Sequence, residues 1–79
     1  MTKKRLARVE NITIPEAKER VDELLEIVRS KDYESAGGEE RRLWQDVLES
    51  IRRGHPQAKG LANVALTTTN VEFPRGWGA

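Results

Sequence analysis

Apolar residues recur along this chain at the spacing of helices. Ile14, Ala17, Val21, Leu24, Leu25 and Val28 form one stripe among Glu, Lys, Arg and Asp, and the 3.6-residue period predicts an amphipathic helix over about residues 14–31. Ile27 lies beside that stripe and widens it. Thr13 precedes the run and Glu16 follows three residues later, the arrangement of a capping box. Pro15 falls in the first turn, where its missing N–H removes no helical bond.

A second stripe, Leu43, Trp44, Val47, Leu48 and Ile51, predicts the strongest helix of the chain. Acids lie early in it and Arg52 and Arg53 last, the order that the helix dipole favours. Gly54 and Pro56 stop it. Its start has two readings. Either Asp32 caps a helix over about 33–53, or Ser35–Gly38 is a loop and the helix begins at Glu39. Gly37 and Gly38 cost about 1 kcal/mol each inside a helix relative to Ala. Tyr33, Ala36 and Glu40 nevertheless continue the face of Leu43 and Val47 backwards, which favours the longer helix.

After Pro56, the spacing of Ala58, Leu61, Ala62, Ala65 and Leu66 predicts a short third helix over about 56–68. The β preference of Thr67–Thr69 and Val71 offers a strand over 63–73 instead, but the helical period is better up to Leu66. Pro74 and the following glycines exclude regular structure at the C-terminal end. Val71 and Phe73 are expected to fold back onto the helices, with Trp77 either docking likewise or offering a contact.

The expected fold is therefore all-α, a small bundle. Two longer antiparallel helices carry a short third one and a C-terminal tail folded back. The chain of 79 residues divides into a basic tail over 1–12, a helical domain over 13–68 and an aromatic tail over 69–79.

The run Asp32, Ala36, Glu40, Leu43, Val47-Leu48, Ile51 and Gly54, followed by Leu61-Ala62, Ala65-Leu66-Thr67-Thr68 and Phe73-Pro74-Arg75 with Trp77, resembles small uncharacterised helical proteins of actinobacteria and their phages. Those proteins end in a Phe-x-Arg-Trp tail. The resemblance covers about residues 32–79. This chain departs from it at Gly37-Gly38 and in placing Gly76 between Arg75 and Trp77. It implies a phage or mobile-element setting and a helical 61–68 stretch, and it brings no catalytic residue.

Composition narrows the chemistry. There is no Cys, so thiolate chemistry is excluded, and with His55 the only His no transition-metal ligand set is expected. The carboxylate pairs Glu19/Glu23 and Asp22/Glu26 read as a solvated helix face, with no oxygen-rich calcium loop. No phosphate-cradling motif surrounds Gly37-Gly38. No enzyme activity, cofactor or metal is expected. No apolar run reaches the roughly 18 residues of a membrane span, and the basic start lacks the apolar core of a secretory signal. A cytoplasmic protein is the expectation.

Two binding readings remain. The first is a non-enzymatic interaction protein that binds a host or viral protein, or a second copy of itself, through Phe73, Arg75 and Trp77; Trp and Arg are the types that most often anchor interfaces. The second is a small DNA-binding regulator. The net charge is +1, yet Lys3, Lys4, Arg5 and Arg8 make the start strongly cationic, and a helix-turn-helix built on the third helix would present Gln57, Lys59 and Asn63.

Overall fold

The computed structural model describes residues 12–75. Three helices pack on one another in pairs: α1 (Ile14–Arg29), α2 (Tyr33–Arg52) and α3 (Ala58–Leu66), the last running into a 3-10 turn (Thr67–Asn70). No strand forms among the described residues. No helix there is long and apolar enough to cross a membrane.

The ends of the helices follow from their capping chemistry. At the start of α1, the Glu16 N–H donates to Thr13 Oγ1 (3.2 Å) and the Thr13 N–H to Glu16 Oε1 (2.9 Å), the reciprocal box expected there. The helix ends at Arg29, two residues before the expected end at Lys31. Lys31 takes a left-handed φ of 68°. The N–H of Lys31 then donates to Val28 O (2.9 Å) and that of Asp32 to Ile27 O (3.3 Å), the paired bonds of a Schellman motif. α2 ends the same way, with Gly54 at φ 86° and bonds from Gly54 to Ile51 O (2.9 Å) and from His55 to Ser50 O (3.1 Å). Glycine tolerates this conformation where Lys31 is strained.

α2 is the longer of the two helices considered for it. Asp32 caps it by accepting from the Ser35 N–H (3.3 Å), and both glycines lie inside it. Burial offsets their low propensity, because Tyr33 and Ala36 on the first turn pack into the core. α3 begins at Ala58 rather than 56, since the Gln57 N–H donates to His55 Nδ1 (2.9 Å) and holds Pro56 in a turn. At its other end the hydroxyls of Thr67, Thr68 and Thr69 donate to the carbonyls of Val64, Ala65 and Leu66 (2.6, 3.0 and 2.7 Å). This back-bonding tightens the threonine run into a 3-10 turn and not into a strand.

The core has two parts. Ile12, Ala17, Leu43, Val47, Leu61 and Ala65 fill the junction of the three helices. Leu24, Ala36 and Phe73 form a second cluster where α1 turns into α2, with Tyr33 and Val71 against it. The packed domain thus exceeds the expected 13–68 span at both ends. Ile12 is 1 % exposed, and its N–H donates to Ser50 Oγ (2.9 Å). Arg20 of α1 pairs with Asp46 of α2 (2.6 Å), consistent with the antiparallel order. At Gly60, a Cβ would stand 2.7 Å from Ile14 Cδ1, so a side chain there would displace the tip of Ile14 where α3 meets the start of α1.

Candidate protein-binding groove

Two surfaces flank α2, and the chain treats them differently. The first holds two of the residues expected to bind a partner. Phe73 is buried, stacked on Tyr33 with centroids 6.4 Å apart. The Arg75 guanidinium lies 3.9 Å from the centre of its ring. Arg75 also grips Glu40 with two bonds, Nε to Oε1 (2.8 Å) and Nη2 to Oε2 (2.9 Å). Further donations run from Nη2 to Thr68 O (3.2 Å) and Val71 O (3.1 Å). Planar, bidentate pairing of this kind suits arginine and not lysine. Phe73 and Arg75 therefore anchor the chain to itself. Trp77 lies outside the described residues.

Glu40 is 2 % exposed. Burial pushes its carboxyl up, but the bonds and charge of Arg75, with the Thr68 hydroxyl beside it, outweigh that and hold it below the ordinary glutamate value. This carboxylate stays charged at neutral pH and has its partner, so it is a structural clasp and no acid–base group.

The second surface is open. Trp44, Leu48 and Ile51 on α2 face Ala62, Ala65 and Leu66 on α3 across a groove of about 280 Å³, with Val47 on its floor. Leu48 is 65 % exposed and Leu66 58 %, the two large apolar side chains left in water among the described residues. Both belong to stripes that the sequence pattern assigns to one buried face; the structure places them on opposite walls of the groove. The arc from Leu43 to Leu48 spans about 140° at ~100° per residue, wider than one neighbouring helix covers. α1 and α3 cover most of it, and its edge at Leu48 stays bare.

The groove wall is held from behind. Trp44 Nε1 donates to Thr68 Oγ1 (3.0 Å) and Ala65 O (3.2 Å), which fixes the indole between the two helices. Beyond Trp44 a smaller depression of about 210 Å³ opens between Gly37, Glu40 and Arg41.

The residues of the nucleic-acid reading divide. Gln57, Lys59 and Asn63 are exposed at the start and outer face of α3. Lys3, Lys4, Arg5 and Arg8 lie outside the described residues. Among the described residues no three His, Cys, Asp or Glu side chains come together as a metal site. His55 Nδ1 is occupied by the Gln57 N–H.

Trp44, Leu48 and Leu66 were not singled out by sequence as binding residues. The available signal was the excess width of the α2 stripe, together with the absence of any acid from residue 50 to 71. No family model, curated protein or solved structure matches the chain.

Proposed function

We propose that this chain is a non-enzymatic binding protein that holds another protein in the groove between α2 and α3, in the cytoplasm and in the phage or mobile-element setting that its resemblance implies. The observation that carries the reading is the pair Leu48 and Leu66, exposed at 65 % and 58 % on opposite walls of an apolar groove. Single exposed leucines are common on protein surfaces, whereas two that face each other across an apolar groove offer a concave seat for a partner's side chains. Grooves between paired helices recur as receptors for amphipathic segments.

The test is to pan a displayed peptide library on the full chain and on the Leu48→Gln/Leu66→Gln variant. Ligands that bind the first and not the second are expected. A library that yields only ligands indifferent to the two leucines would overturn the reading.

The exposed Gln57, Lys59 and Asn63 favour DNA binding as the second reading, since they sit in a stretch without acids. It requires affinity for duplex DNA that falls steeply with salt and weakens in Lys59→Gln. Absence of binding at low salt would remove it.

A further inference from the structure

We infer that the occupant of the groove is an amphipathic helix whose apolar face is flanked by Asp and Glu. The inference rests on the protein-binding reading and adds the chemistry of the partner. It comes from the charge around the groove. On α2 the positions next to the Trp44–Leu48–Ile51 wall, at helical spacing, are Arg41, Gln45 and Arg52. On α3 the positions next to Ala62 and Leu66 are Lys59 and Asn63. All five are exposed and none is acidic.

The nearest carboxylates are already engaged. Glu40 is buried against Arg75, and Glu49, one step further round α2, pairs with Arg52 and Arg53. Among the described residues, Arg41 and Lys59 make no ion pair. The groove therefore has an apolar floor and, on each side, one cation that no described carboxylate pairs, Arg41 on α2 and Lys59 on α3.

Dimensions agree with a short helical ligand. α3 has 9 residues, about 13.5 Å at ~1.5 Å per residue. Three anchors at i, i+4 and i+7 span about 10.5 Å on the same rise. Such a ligand would lay its apolar face between Leu48 and Leu66 and bring its flanking acids to Arg41 and Lys59.

A second copy of this chain fits less well. A twofold contact through the groove sets the rim cations against themselves, a like-charge arrangement that opposes association. The acidic helix α1 cannot enter a neighbour's groove either. Its exposed positions from Lys18 to Arg29 are all charged, and its apolar residues face the core.

The experiment uses the full chain and two fluorescein-labelled synthetic helical peptides. Both carry Leu at i, i+4 and i+7; one has Glu at the flanking positions and its twin has Lys. Fluorescence anisotropy is expected to show the Glu peptide binding about tenfold more tightly, with a preference that shrinks as salt rises. Arg41→Glu/Lys59→Glu, at exposed positions, should reverse the preference, and Leu48→Gln/Leu66→Gln should abolish binding of both. Equal or tighter binding of the Lys twin would overturn the acidic assignment. If the library still yields ligands that depend on the two leucines, the groove reading survives that result. If neither library nor peptides depend on the leucines, both fall. A dimer in sedimentation that Leu48→Gln disperses would put a second copy in the groove and overturn the inference.

Discussion

α2 carries two apolar surfaces only a turn or two apart, and they end differently. Around Ala36 and Glu40 the segment after α3 returns and covers the helix with Phe73 and Arg75. Around Trp44, Leu48 and Ile51 no described residue covers it. The covered surface uses an aromatic ring and a bidentate arginine, the residue types that interfaces favour, to close the domain on itself. The open one presents plain leucines. Residue type alone thus does not tell the two apart, because a good anchor serves an intramolecular contact as readily as an intermolecular one.

Breaking the covered side has the largest expected effect. Arg75→Ala leaves Glu40 buried with a charge and no partner, and it should lower the unfolding free energy in urea by about 3 kcal/mol. Replacing both, as Glu40→Leu/Arg75→Met, should return stability to within about 1 kcal/mol of the parent or above it, since an apolar replacement of a buried ion pair is often neutral or stabilising. A small loss in Arg75→Ala would mean that the clasp does not close the domain. The pair also sets an acid limb. The folded-state pKa of Glu40 lies below its unfolded value, so its contribution is complete above about pH 4.3 and is lost as pH falls through the folded value. Glu40→Gln should flatten that limb of the urea midpoint against pH. Glu49, half-buried and held low by Arg52 and then Arg53, remains to titrate in its place.

The same contrast explains what sequence reveals. The caps of α1, the start of α2 at Asp32 and the period of α3 are local signals, and each was legible because the residues that make it lie within a turn or two. The all-α bundle followed from them, and the docking of Val71 and Phe73 from the size and apolarity of those two side chains. Glu40 and Arg75 are 35 residues apart, and nothing local marks either as half of a pair. Ile12 looked like the last residue of a basic tail, yet Ser50, 38 residues on, receives its N–H. Leu48 and Leu66 shared the period of buried neighbours, and only the shapes of α1 and α3 decide how much of an apolar arc is covered.

On the border between the two surfaces, Trp44→Phe should cost about 1 kcal/mol, the worth of its hydrogen bonds to Thr68 and Ala65. It should also weaken groove ligands, because the indole is a wall of the groove. Smaller and opposite in sign is the effect of the α2 glycines. A Cβ at Gly37 meets nothing within 4 Å, and at Gly38 only the tip of Arg42 at 4.0 Å. Ala at either position should stabilise the helix by about 0.5–1 kcal/mol in thermal or urea unfolding. Gly37 lines the depression beyond Trp44. If that depression belongs to the binding surface, Gly37→Ala will reduce peptide affinity where Gly38→Ala leaves it unchanged.

The smallest effect on folding is expected at the open surface itself. Leu48→Gln and Leu66→Gln exchange one good helix former for another at positions already 65 % and 58 % exposed. Their unfolding free energies should move by less than about 0.5 kcal/mol, the usual range for surface changes. Phe73→Ala, by contrast, empties a site that is 8 % exposed, and buried aromatics of this kind cost about 3–5 kcal/mol. Urea denaturation of the three variants side by side separates the two surfaces. A loss of several kcal/mol at Leu48 or Leu66 would show that these leucines are covered in solution, and would make the groove part of the core. Near-zero losses, with peptide binding abolished, would locate the function of α2 on the face that folding leaves uncovered.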